Sequence, residues 1–200
     1  MKRRVLLGMI GVGAASSGVL GDPHERGTAD SLAERFDCRE ASRPACDLES
    51  VETERTDDSA GTVDGAGTEP YPDPPTAFDA DGVVEFVRDH ERAYAKNDVL
   101  CSRERSERMV DYSIEFDDVR RFDWYDEIHV VRVRYAETPT DVDEDGEPWA
   151  TADGYSGAVY AVDETTAVRT GLSLGPSGSV PGEAETPDPV ETGTLVDCFR

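Results

Sequence analysis

Residues 79–122 set the tightest limit on what this chain can fold into, because their apolar side chains recur first with a helical period and then with a period of two. Val83, Phe86, Val87, His90, Ala93, Tyr94, Asn97, Leu100 and Cys101 share one helical face. Glu85, Arg88, Asp89, Glu91, Arg92, Lys96 and Asp98 take the other. Asp79 stands where an N-cap is needed, so a helix is predicted from there to about Leu100. Val110, Tyr112, Ile114 and Phe116 then alternate with Asp111, Ser113, Glu115 and Asp117, the pattern of a half-buried strand. That strand is expected to continue through a bulge at Asp117–Asp118 to Phe122 and to turn over Asp123–Glu127. Ile128–Tyr135 reads as a second strand, with Val131, Val133 and Tyr135 on one face and Arg132 and Arg134 on the other. Residues 137–152 read as a long acidic loop, and Gly154–Val162 and Thr166–Leu174 as a third and fourth strand around Asp163–Glu164. Pro176–Thr192 reads as loop, and Gly193–Phe199 as a terminal extended segment. The expected class is α+β: one amphipathic helix packed on a four-stranded antiparallel meander, in a folded domain of residues 77–200.

The chain ahead of this domain divides in two. Lys2, Arg3 and Arg4 run into an apolar stretch, Val5–Leu20, that becomes rich in small residues, and no acidic residue precedes Asp22. This basic, apolar, small-residue order predicts a signal peptide over residues 1–21. The glycine-interrupted stretch falls short of the roughly 20 apolar residues that span a bilayer. Arg3-Arg4-Val-Leu6-Leu7 resembles a twin-arginine signal, the export route of proteins that fold before crossing. Residues 22–76 read as a polar, acidic, largely disordered segment and linker, with one short helix over Ala29–Phe36 and a stiff end at Pro70-Tyr-Pro-Asp-Pro-Pro75.

Charge excludes several functions. The formal net charge is −24, and the three basic residues of the leader make the remainder more acidic still. Lysine occurs only at positions 2 and 96 and asparagine only at 97, a usage that resembles proteins of extreme halophiles. Concentrated salt shortens the screening length to about 3 Å at 1 M and makes such self-repulsion tolerable. Nucleic acid and anionic membrane surfaces are excluded as partners, since both require a basic face. A cell-surface protein or a small ligand remains as the expected partner.

Cys38, Cys46, Cys101 and Cys198 allow three disulfide pairings in an exported chain. Cys38–Cys46 closes an easy short loop, and Cys101–Cys198 would then tie the C-terminus to the core. No C-x-x-C pair supports zinc. His90, Tyr94 and Asn97 lie at successive turns of the apolar face and mark a pocket between helix and sheet, to which His129 could be added across the sheet. The competing reading makes His90 a hydrogen-bonded core residue that fixes the helix. Asp141, Asp143, Asp145 and Gly146 match the first half of a calcium loop, but position twelve is Ala152 where a bidentate Glu is needed. Calcium is thus the one cofactor raised, and a solvated loop is the favoured alternative. Gly171-Leu-Ser173-Leu-Gly175 fits a nucleophile-elbow string, yet Pro176 forbids the helix and no histidine follows His129. No catalytic residue is expected.

Tyr71-Pro-Asp-Pro-Pro75 followed by Val83-Val-Glu-Phe-Val-Arg-Asp-His90-Glu-Arg-Ala-Tyr94-Ala-Lys-Asn97 resembles a group of uncharacterised exported proteins of halophilic archaea. The resemblance covers residues 70 to the C-terminus and implies an acidic spacer, a helix of this kind and a following antiparallel sheet. It implies no activity. The chain departs from the many lipoprotein-like members in lacking a cysteine beside its apolar stretch. The helix-on-sheet order is more loosely similar to cystatin-like and nuclear-transport-factor-like folds, which host binders and enzymes alike. The expected function is a non-catalytic binding or structural module, secreted or at the cell surface. The alternatives are a small-ligand or enzymatic pocket between helix and sheet, and a calcium-stabilised surface module.

Overall fold

In the computed structural model, residues 31–46, 52–54, 62–102, 109–142, 147–150 and 154–199 are described. The signal peptide expected over residues 1–21 lies outside them. The predicted helix is α1, Ala80–Cys101. Asp79 caps it by accepting a hydrogen bond from Gly82 N at 2.8 Å. A Cβ at Gly82 would run into the Ala77 carbonyl, so the tight entry into α1 requires glycine there.

Two short strands, β1 (Glu52–Glu54) and β2 (Thr62–Asp64), pair with each other. The main sheet contains β3 (Met109–Phe122), β4 (His129–Val142), β5 (Pro148–Ala150), β6 (Gly154–Val162), β7 (Thr166–Gly171) and β8 (Thr194–Cys198). It is antiparallel throughout, in the order β3-β4-β6-β7-β8, with β5 on β4. The α+β class and the antiparallel sheet agree with the sequence reading, and a register shift between Phe116 and Asp118 marks the expected bulge.

The strand count is larger than four. The C-terminal extended segment becomes β8 by pairing with β7, where Thr166 faces Cys198. Within the stretch expected as a loop over 137–152, the described residues include strand: β4 continues to Val142, and β5 pairs with it, Asp141 lying opposite Trp149. Because β3 occupies the other side of β4 at Asp141, β5 extends the row that β6 begins at Gly154. The loop expected over 176–192 contains two 3-10 turns, Pro176–Gly178 and Glu183–Glu185, and one short α-helix, α2 (Pro189–Thr192).

The central strands of the sheet are buried on both faces. Val131 and Val133 of β4, Ala158, Tyr160 and Val162 of β6, Ala167 of β7 and Val196 of β8 meet Val83, Phe86 and Val87 of α1. On the opposite face, Phe122, Val130, Val159 and Leu172 form one cluster. Leu32, Ile128, Ala161, Val168, Val190 and Leu195 form another. Alternation along β6 thus sends apolar side chains both ways, which explains its continuous buried run from Gly157.

Leu32 comes from the short helix expected within the otherwise largely disordered segment, and it is fully buried. Burying such a side chain contributes about 1.5–3 kcal/mol. Asp163, in the β6–β7 turn, holds the segment there. Its carboxylate accepts Leu32 N at 2.7 Å and also Ser31 Oγ, while binding Thr165 and Thr166 within its own turn. Burial alone would raise this carboxyl, but these hydrogen bonds hold it below the ordinary aspartate range. Ser31 caps a 3-10 turn, Leu32–Glu34, in place of the expected short α-helix.

The disulfides are Cys38–Cys198 and Cys46–Cys101. This corrects the expected pairing of Cys38 with Cys46 and Cys101 with Cys198. The short-loop preference ignores where the N-terminal segment docks. Ser42 N bonds to Leu195 O on the β8 margin, bringing Cys38 to Cys198, and the chain then reaches the end of α1, where Cys46 meets Cys101.

Candidate functional site

The middle of α1 presents His90 and Glu91 to the sheet, and both are fully buried. Glu91 was assigned to the solvated face of the helix, and the structure corrects this. Its neighbours are two tyrosines on the inner face, Tyr135 of β4 and Tyr160 of β6, and Arg169 of β7. Tyr135 Oη donates to Oε1 at 2.6 Å and Tyr160 Oη to Oε2 at 2.7 Å. Arg169 adds a bidentate clamp, Nε to Oε2 at 2.7 Å and Nη2 to Oε1 at 2.8 Å. Burial would raise the Glu91 carboxyl, but the charge and hydrogen bonds of Arg169, with those of the tyrosines, outweigh it and hold it ionised. Burial, then Glu91, pushes the Tyr135 and Tyr160 hydroxyls well up.

His90 Nδ1 lies 3.1 Å from Tyr160 Oη. The one proton of Tyr160 goes to Glu91, so Nδ1–H must be the donor, giving a chain His90 to Tyr160 to Glu91. Nε2 is enclosed without a hydrogen-bond partner, and the rings of Tyr71, Phe86 and Tyr94 lie around the imidazole. Burial depresses its pKa to about 3, against a smaller opposing pull from Glu91. The imidazole is neutral at neutral pH.

The four expected pocket residues do not converge. Asn97 clamps the backbone of Glu69, accepting from its N–H and donating to its carbonyl, both at 2.8 Å. His129, at the start of β4, donates from Nε2 to Phe78 O at 2.9 Å and so fixes the approach to α1 rather than joining His90. Tyr94 is stacked under Arg169, with the guanidinium 4.0 Å from the ring centre. Of the four, only Tyr94 lines the groove of about 640 Å³ that opens between the C-terminal half of α1 and the sheet. That groove is completed by Asp98, Tyr112, Glu137 and the margin where β6 and β7 separate, at Ser156 and Gly171.

Asp141 lies within β4, while Asp143 and Asp145 fall outside the described residues. Among the described residues no three His, Cys, Asp or Glu side chains gather as a metal site. No described helix is long and apolar enough to cross a membrane. Comparisons with protein-family models, with curated proteins and with solved structures found no match.

The sequence reading missed Glu91, Tyr135, Tyr160 and Arg169 as one cluster. Helical position alone offered a signal for Glu91, since it follows His90 and borders the apolar face. Its partners come from three strands, 44, 69 and 78 residues away.

Proposed function

We propose that this chain is a non-catalytic binding or structural module that works outside the cytoplasm, at the cell surface or secreted. The observation that carries the reading is the saturation of its polar centre. Glu91 accepts four hydrogen bonds, from Tyr135, Tyr160 and twice from Arg169, and its negative charge is met by one guanidinium. A general base must be free to take a proton from a substrate. Here the buried acid is held ionised by structural partners, and His90 is walled in by rings. The polar groups most suggestive of chemistry thus join helix to sheet.

Two disulfides support an oxidising, extracytoplasmic environment. The basic, apolar, small-residue leader supports export, and the Arg3-Arg4 pair supports the twin-arginine route. The acidic composition supports work in concentrated salt, as does the resemblance to exported halophilic proteins. The test is fractionation of cells making the full chain with a C-terminal tag, with thiol labelling of each fraction. The expected result is oxidised protein in the surface or medium fraction, and intracellular precursor when Arg3 and Arg4 are both replaced by Lys. Reduced protein retained in the cytoplasm of the unmodified strain overturns the reading.

A further inference from the structure

The main sheet ends on one side at β3, and beyond Met109 no described residue pairs with the outer edge of that strand. The opposite margin differs, because Ser42 N bonds to Leu195 O on β8. An edge with open backbone donors and acceptors is a template for another strand, and charged side chains decide which strand it accepts. After the bulge, β3 is regular from Asp118 to Phe122, a segment that begins about 30 Å along the strand from Met109. Val119, Arg120 and Arg121 are exposed there. Val119 is one of the three large apolar side chains exposed among the described residues.

We infer that the outer edge of β3 pairs antiparallel with β3 of a second copy of this chain, about a two-fold axis at Val119. Residues directly opposite on antiparallel strands share a face, so an axis at one residue sets its two neighbours opposite each other's copies. An axis at Val119 sets Asp118 opposite Arg120 twice and Val119 opposite Val119. An axis at Asp118 would oppose two carboxylates, and one at Arg120 or Arg121 two guanidinium groups, which is destabilising. The alternation of sign that discourages other registers thus selects this one. The charged groups also have atoms to spare. Arg132 takes Asp118 through Oδ2 alone, and Glu183 takes Arg120 through Nη2, leaving Asp118 Oδ1 and Arg120 Nη1 without a described partner. An unrelated extended peptide would gain the same backbone bonds without these two pairs. The formal charge of −24 on each copy opposes association in dilute buffer, and molar salt shortens that repulsion to about 3 Å. The pairing is independent of where the protein works.

The test is sedimentation equilibrium of the purified, oxidised full chain in molar potassium chloride over a range of concentrations. The expected result is a reversible dimer. Arg120→Glu should weaken it about tenfold or more, since an acid then faces Asp118 at both places, while thermal unfolding stays cooperative. Val119→Cys should form a covalent dimer on air oxidation, because opposite Cα atoms lie about 4.5–5.5 Å apart, within disulfide reach. Glu115→Cys should not, since its two copies would lie roughly 25 Å apart. Peptide mapping of both cysteine variants should still give Cys38–Cys198 and Cys46–Cys101. A monomer at every concentration overturns the inference and leaves the edge to a different protein. Unchanged association in a folded Arg120→Glu protein, or equal cross-linking by the two cysteine variants, overturns it as well.

Discussion

Glu91 and Arg169 form a bidentate ion pair across the helix–sheet interface, with Nε–Oε2 at 2.7 Å and Nη2–Oε1 at 2.8 Å. They stand 78 residues apart in sequence, and Glu91 is sealed from solvent. Desolvating two charges is expensive, and the pair is worthwhile only while both partners and the two tyrosine hydroxyls are present.

Removing one partner should therefore cost far more than removing both. Glu91→Gln is expected to destabilise the fold by about 3–5 kcal/mol, because Arg169 keeps its charge without a counterion. The double variant Glu91→Gln with Arg169→Met should lose clearly less than the sum of the two single losses. Denaturant unfolding of the four proteins in molar salt measures the difference. Additive losses would mean that the pair is not coupled in solution.

Acid should weaken the fold through His90 before it reaches the carboxylates. The folded pKa of His90 is about 3 against an ordinary 6.5, so the unfolded chain binds a proton that the fold refuses. The associated stability is present above the unfolded value and is lost as pH falls from 6.5 toward the folded value, at up to about 1.4 kcal/mol per pH unit. Glu91, with a lowered pKa, adds its own loss below its ordinary 4.5. His90→Leu should cost about 1–3 kcal/mol near neutrality. It should also flatten the stability curve relative to the unmodified protein between about pH 6.5 and 4.5. Parallel curves for the two proteins across that window would place His90 in water.

The two disulfides should contribute unequally. Cys38–Cys198 spans 160 residues and Cys46–Cys101 spans 55. Loop-closure entropy then gives upper values of about 5 and about 4 kcal/mol. Replacing Cys38 and Cys198 with Ser should cost more and should open residues 31–46 to proteolysis. Non-reducing peptide mapping checks the pairing itself, and a peptide joining Cys38 to Cys46 would contradict the structure.

Salt should stabilise the fold steeply. With a formal charge of −24, repulsion acts over a screening length of about 10 Å at 0.1 M but only about 3 Å at 1 M. Melting temperature is expected to rise through this range in potassium chloride. A flat profile would mean that the acidic surface does not limit stability.

The sequence by itself determined the local elements. The cap at Asp79, the extent of α1, the bulge after Phe116 and the span Gly154–Val162 were all legible, because capping and hydrophobic period act between near neighbours. The tertiary structure decided what depends on distant partners. β8 is a strand because β7 offers it an open edge, and β5 exists because β4 extends beyond β6. Leu32 is core because Asp163 and the outer face of the sheet receive it, although the segment around it is mostly polar. The same docking set the disulfides, overruling the short loop that chain entropy alone would favour. Glu91 shows the divide most sharply. On the helix it reads as a solvated charge, and only the convergence of Tyr135, Tyr160 and Arg169 from three strands supplies the donors that make its burial tolerable.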